Sequence, residues 1–96
     1  MLGSRVLTFS WDPEKAESNR KKHGITFPEA ATAFGDPLSL TISDPAHSQE
    51  EARFILVGLT FEDRLVVVAH VETGDDIRII SARLATRAER KSYEQD

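Results

Sequence analysis

Short runs of apolar residues, most of them alternating with polar ones, predict five β-strands. In the first run, LTFSW, every second residue is apolar, which places Leu7, Phe9 and Trp11 on one face of a strand. Two later runs, RFILVGLT and RLVVVAHV, are nearly continuous apolar segments, as expected for strands covered by other elements. The predicted strands are 7–11, 38–43, 53–60, 64–71 and 76–82. Short connections between the last four favour an antiparallel meander.

Three segments with capping residues predict helices. The first starts after the N-cap Asp12, carries proline at its first position and stops at Gly24. The second has the capping-box spacing at Thr26 and Glu29, and a third box begins a C-terminal helix after Thr86. The element order βαα-ββββ-α predicts an α+β fold: a four-stranded antiparallel meander plus a short N-terminal strand, two N-terminal helices and one C-terminal helix.

The size and composition of the chain fit a globular protein of one domain, residues 1–96. The chain has no cysteine, which excludes disulfides and thiolate chemistry. No apolar run approaches the length of a membrane span, and the N-terminus does not read as a signal peptide. We therefore expect a cytoplasmic protein that does not bind membranes.

Charge is distributed in three blocks, although the whole chain has a formal charge of −4. Residues 15–22 carry a net +3, residues 36–76 a net −7 and residues 78–91 a net +4. A solvated surface without a binding role accounts for such a pattern in some proteins. The sharper interpretation is an anionic ligand held between the two basic blocks.

Known catalytic motifs are missing from the sequence. The three histidines, His23, His47 and His70, lack the spacing of metal ligands, and neither a phosphate-binding glycine loop nor a nucleophile elbow is present. An enzyme with this sequence is therefore expected to work with side chains alone, without a cofactor.

Arg78 and His70 are candidates with competing structural explanations. Arg78 alternates with isoleucines in the last strand, so it faces a ligand, faces solvent or pairs with an acid such as Glu72. His70 either reaches a site or packs in the core, which is the commoner fate of a lone histidine. A three-residue turn at Gly74 would place His70 opposite Arg78 and a two-residue turn would not.

Further candidates gather at the junction between the last strand and the last helix, and at the end of the first helix. Arg83 follows the small residues Ser81 and Ala82, which allow a ligand to approach closely. Cleavage of RNA without a metal requires a base, an acid and cations for the phosphoryl oxygens. Histidine, carboxylate or tyrosine can serve as base or acid, and arginine suits the phosphoryl oxygens. The candidate catalytic residues are Arg53, His70, Arg83 and Glu89, and the candidate substrate-binding residues are Lys22, His23, Arg78, Arg87, Arg90 and Tyr93.

Two motifs of this sequence resemble the BrnT family, the toxin half of a bacterial type II toxin–antitoxin pair. They are FSWDPEKAESNRKKHGITFPEAATAF, and RIISARLATRAERKSYE after the central strands, and the resemblance extends over residues 9 to 94. It implies a fold similar to RelE-like toxins, RNA cleavage that arrests translation and neutralisation by a BrnA-like ribbon-helix-helix antitoxin. DNA binding is then expected only through the antitoxin complex. The second hypothesis is a non-catalytic module that binds the antitoxin and tunes repression of its operon.

Overall fold

A five-stranded mixed sheet forms the centre of the structure, a computed structural model that describes residues 6–44 and 51–95. The strand order is β1-β5-β4-β3-β2. The strands are β1 (Thr8–Ser10), β2 (Leu40–Ser43), β3 (Arg53–Leu59), β4 (Leu65–Thr73) and β5 (Asp76–Leu84). The helices are α1 (Pro13–His23), α2 (Phe27–Thr32), which continues into a 3-10 turn at Ala33–Gly35, and α3 (Arg87–Glu94). Most of the predicted acidic loop, including His47, lies outside the described residues.

The four strands β2 to β5 pair in chain order and antiparallel, which is the expected meander. The sequence did not identify the partner of β1, which pairs in parallel with the first residues of β5. That pairing ends at Ser10 opposite Arg78. Within the described residues, no strand therefore covers the outer edge of β5 beyond this point.

The turn between β4 and β5 has two residues, which settles the alternative left open by the sequence. His70 lies opposite Ile79 and not opposite Arg78, whose partner is Val71. The register then shifts by one residue, because Ala69 pairs with Ser81 and Ile80 is left over as a β-bulge. The strand bends at this residue.

One face of the sheet is covered by α1 and α2, and the core lies between them. Ile25 and Phe27 from the helical side pack against Val66, Val68 and Ile79 of the sheet, and all five are buried. Burial of each such side chain contributes about 1.5–3 kcal/mol. Among the described residues, no helix combines the length and apolar character needed to cross a bilayer.

Asn19 of α1 bonds to the uncovered edge of β5. Its side-chain oxygen accepts the Ala82 N–H at 3.0 Å, and its amide nitrogen donates to the Ala82 carbonyl at 2.8 Å and to the Ile25 carbonyl at 3.0 Å. At Ala82, the Asn19 side chain thus makes the backbone bonds that a neighbouring strand would otherwise make. Asn19 is only 7% exposed, so these polar groups have little access to water.

The helix ends follow their sequence signals with one exception. Asp12 caps α1, and Gly24 ends it with a φ of 73°. Thr26 accepts a bond from the Glu29 N–H as expected, but the Glu29 carboxylate turns away from the cap to Arg64 and Thr60. The predicted capping box at α2 is therefore incomplete, because a charge-assisted bond to arginine is stronger than one to a backbone N–H. The box at α3 is complete.

The C-terminal helix is held on the other face of the sheet by polar contacts. None of the residues of α3 is buried. Glu89 pairs with Arg83 of β5, and the Tyr93 hydroxyl donates to Asp36 at 2.5 Å. Asp36 also accepts the backbone N–H groups of Leu38 and Leu59. These contacts set the position of α3.

We expect Asn19→Ala to destabilise the fold. The change leaves both polar groups of the Ala82 peptide and the Ile25 carbonyl without these partners, which should cost on the order of 3 kcal/mol in the free energy of unfolding. Urea denaturation measures this. The neighbouring Ser18→Ala on the exposed side of α1 is the control and should change stability by less than about 0.5 kcal/mol. Equal stability of the two variants would contradict the role of Asn19.

We also expect Tyr93 to ionise at unusually high pH. Its bond to the Asp36 carboxylate, with burial, raises the pKa of Tyr93 from 10.0 to about 12. A raised pKa means that this contact stabilises the fold below pH 10 and is lost as the pH rises through 12. Because the chain has a single tyrosine, phenolate absorbance reads this group alone. Asp36→Asn should bring the titration back towards 10, whereas a wild-type titration already near 10 would exclude this anchor.

Candidate functional site

An open cleft lies between the exposed face of α1 and the bulge of β5. Its volume is about 400 Å³. It exists because β1 ends before the bulge, so that the helix and the strand edge face one another across open space. The cleft is lined by Asp12, Glu14, Lys15, Ser18, Asn19, Lys22 and His23 from α1 and its cap, and by Ile80 and Ser81 from β5.

The lysines of this cleft are available to an anion. Within residues 6–44 and 51–95, Lys15 and Lys22 form no ion pair, although Asp12 and Glu14 line the same cleft beside Lys15. Asp12 uses its carboxylate to cap α1. Most arginines of the described region are paired: Arg20 with Glu17, Arg64 with Glu29, Arg78 with Glu51, Arg83 with Glu89 and Arg90 with Glu94.

His23 is the last residue of α1 and lines the cleft beside Lys22. It is half-buried, so part of the side chain remains accessible. A histidine side chain can both take and give a proton. Of the two histidines in the described residues, it is the one that reaches the surface.

His70 lies on β4, next to the strand that lines the cleft, and is fully buried in the core. Its ring packs edge-on against Phe34 and stacks with Phe54, at centroid distances of 4.8 and 5.9 Å. The Nε2 atom lies 3.0 Å from the Glu72 carboxylate, and Nδ1 lies 3.3 Å from the Val68 carbonyl. This environment matches the packing interpretation of the sequence rather than contact with a substrate.

Arg53 and Arg78 lie on the sheet face opposite to α1 and α2. Both are paired with Val71 of β4, one from each side, and residues directly opposite one another share a face. The Arg78 guanidinium donates two bonds to Glu51, at 2.7 and 2.9 Å. The sequence anticipated a pair with some acid, and the partner is Glu51 rather than Glu72.

Arg83 forms a two-pronged pair with Glu89 at the start of α3. Both N–H to oxygen distances are 2.8 Å, and a further N–H donates to the Leu84 carbonyl. The bonds from Arg83, against the opposing effect of burial, lower the pKa of Glu89 to about 2, and the backbone bond from Thr86 adds to them. Glu89 therefore stays ionised at neutral pH and holds no proton to donate.

The predicted arginines form separate groups rather than one. Arg83 is five positions after Arg78 on β5, so the backbones of these two residues are roughly 15 Å apart. Arg53 joins the Arg78 group, and Tyr93 joins the Arg83 group through α3. Arg87 and Arg90 are exposed on α3, where Arg90 lies 3.7 Å from Glu94.

Of the residues that line the cleft, the sequence singles out Lys22 and His23 as site candidates; the resemblance to the family also marks Lys15, Asn19 and Ser81, which are not among those candidates. Lys15, Ser18 and Lys22 share one face of α1 because they are separated by three and four residues. That spacing is visible in the sequence. The approach of the β5 bulge to this face is not, because it depends on the register of the sheet and on Asn19.

Comparison with known proteins agrees with the fold and the element order. The family model described as the ribonuclease toxin BrnT of a type II toxin–antitoxin system matches residues 11–89. The 1.1 Å crystal structure of the Brucella abortus ribonuclease toxin BrnT is similar, with a TM-score of 0.62 and 20% identity. That match covers 85% of this chain and 100% of the other, and at this identity it shows the fold alone. No curated protein matches.

The family match covers most of the first motif, the second motif up to Glu89, and every element from α1 to the first turn of α3. The type II assignment of the family implies an antitoxin as partner. This chain belongs to the BrnT family of ribonuclease toxins.

Proposed function

We propose that this protein is a metal-independent endoribonuclease that leaves 2′,3′-cyclic phosphate ends. The observation that carries the proposal is the accessible His23, which shares an open cleft with two lysines that have no acid partner in the described region. These are the groups that cleavage by the ribose 2′-oxygen requires: a proton-transfer residue and fixed cations beside the phosphate.

In this mechanism His23 removes the proton of the 2′-hydroxyl or supplies the proton that the 5′-oxygen needs to leave. Lys15 and Lys22 stabilise the negative charge that builds on the phosphoryl oxygens. Ser81, on the opposite wall, is a hydrogen-bond partner for the ribose or the phosphate. The nucleophile, the ribose 2′-oxygen, is already present in RNA. The protein has only to position the RNA, transfer a proton and stabilise the charge on the phosphoryl oxygens.

Arg83 is proposed to bind a phosphate near the cleft, and Glu89 to orient it. The pair with Glu89 and the bond to Leu84 use three of the five N–H groups of the guanidinium, and the others remain for a phosphate oxygen. A carboxylate with a pKa of about 2 is a weak base and no acid at neutral pH, so we assign Glu89 a positioning role. The buried His70 has the same kind of role, because it shapes the core beneath β5.

The remaining candidates are proposed to bind flanking nucleotides. Arg53 and Arg78 form a second cationic group on the sheet face, and Arg87, Arg90 and Tyr93 belong to α3. The pairs of Arg78 and Arg90 with acids lie in solvent, where such pairs contribute about 0–1 kcal/mol and yield readily to a phosphate.

Metal independence is supported by the available donor groups. In the described parts of the chain, no three histidine or acidic side chains come together in the way that a metal ion requires. The proposed chemistry instead uses charges that are fixed in the protein.

The cellular role follows from RNA cleavage. We propose a RelE-like toxin that arrests translation in the cytoplasm and is neutralised by a BrnA-like ribbon-helix-helix antitoxin. DNA is reached only through that complex, and no membrane is involved.

A second candidate function is a non-catalytic module that binds the antitoxin and tunes repression. The observation in its favour is that three of the predicted site arginines are already paired with acids of this chain. An antitoxin-binding surface needs no free cation.

We expect antitoxin-free protein to cleave RNA in the presence of EDTA. The products should carry 2′,3′-cyclic phosphate and 5′-hydroxyl ends, because the proposed nucleophile is the adjacent ribose oxygen and no metal-bound water takes part. Mass spectrometry of the fragments identifies the ends. RNA left intact at high protein concentration, together with normal growth on expression, would favour the non-catalytic module.

We expect His23→Gln to lower the rate of RNA cleavage by roughly 10²–10⁴-fold, the usual contribution of a general acid or base. Lys22→Ala should also slow cleavage, whereas Lys21→Ala should not, because Lys21 is exposed on α1 outside the cleft. Urea midpoints confirm that all three variants fold. If Lys21→Ala and His23→Gln cleave equally well, the active site lies elsewhere.

Arg83 and Glu89 give a matched comparison within the same assay. Either Arg83→Ala or Glu89→Gln weakens the contact that holds α3, but only the first removes the proposed phosphate ligand. We therefore expect a much larger loss of cleavage for Arg83→Ala. Equal losses would show that the pair acts only by holding α3.

A further inference from the structure

The strand β2 exposes an unpaired backbone edge. It is the last strand of the described sheet, and all four of its residues, 40–43, are exposed. The Asp44 N–H donates to the Arg53 carbonyl at 2.8 Å. In an antiparallel pair, the backbone groups of successive residues point alternately towards and away from the partner strand, so this bond shows which residues of β2 face β3. The backbone groups of Leu40 and Ile42 therefore point to β3, and those of Thr41 and Ser43 point outwards.

An apolar groove continues from this edge onto the sheet face beneath α3. It has a volume of about 350 Å³. Leu40 and Ile42 of β2, which are 44% and 63% exposed, line it together with Ile55, Val57 and Val67 of the neighbouring strands. An exposed edge beside an exposed apolar face is a surface that proteins usually cover.

We propose that β2 and this groove accept an extended segment of the antitoxin, which adds to the sheet as a sixth strand. Outward N–H and C=O groups bind a peptide backbone of any sequence, and the groove selects apolar side chains at alternate positions. The inference rests on the toxin–antitoxin role of the family. Since Arg83 and Glu89 form the rim of the groove, the bound segment lies directly beside the proposed phosphate ligand.

The negative charge around β2 indicates which residues the bound segment contains. Residues 36–52, which include β2, contain four acids and no lysine or arginine. A second copy of the chain paired edge to edge would bring two of these acidic segments together, and the phosphates of an RNA backbone would be repelled in the same way. A segment that has apolar residues at alternate positions and also carries lysine or arginine can pair with the backbone edge of β2, fill the groove and be attracted by the nearby acids.

The test compares Thr41→Pro with Thr41→Ala in binding to the full-length cognate antitoxin. Proline removes the outward N–H at position 41 but leaves the bonds to β3, whose donors are the neighbouring residues, and an edge strand tolerates it. We expect the dissociation constant to rise by about tenfold for Thr41→Pro and to stay unchanged for Thr41→Ala. Ile42→Lys, on an exposed side chain, should weaken binding through the groove and its charge.

Binding as tight as that of the wild type in both Thr41→Pro and Ile42→Lys would overturn the proposal. So would sedimentation of the antitoxin-free protein as a dimer that Thr41→Pro converts to a monomer, since the occupant would then be a second copy. RNA cleavage by Thr41→Pro should equal that of the wild type, because Thr41 lies outside the cleft. If no variant cleaves RNA while antitoxin binding still depends on Thr41, the proposed ribonuclease mechanism fails and the docking surface stands.

Discussion

The hydrogen bonds between the Asn19 amide and the Ala82 peptide are the constraint on which the rest of the structure depends. A three-residue β1 is too short to cover β5, so the rest of the β5 edge would otherwise lack a backbone partner. Asn19 satisfies that edge with one side chain and fixes the distance between α1 and the bulge. Lys15 and Lys22, one turn to either side of it, are thereby brought to the rim of a cleft.

The local pairing of charges is compatible with the RNA cleavage proposed for this acidic chain. The formal charge of −4 is spread over the molecule, but charges separated by more than about 10 Å are largely screened at physiological salt, so local pairing matters more than the total. Arg78 and Arg83 are matched by acids of this chain, whereas the lysines of the cleft are not.

Local signals in the sequence predicted the elements well, because capping and periodicity act over a few residues. The start of α1 after Asp12 and the complete box at Thr86 are of this kind. The site could be predicted only in part, since Asn19 with Ala82 and Tyr93 with Asp36 are more than fifty residues apart. His70 looked like a candidate because the sequence cannot show that two phenylalanines enclose it.

The bulge at Ile80 has a consequence for the two arginines of β5. Arg83 is five positions after Arg78, and in a regular strand an odd number of positions sends two side chains to opposite faces. Ile80 is the extra residue that restores the phase, so both arginines reach the face on which α3 lies. Without the bulge, a strand of the same length would turn either Arg78 or Arg83 into the apolar core, so the one extra residue sets the face on which both arginines lie.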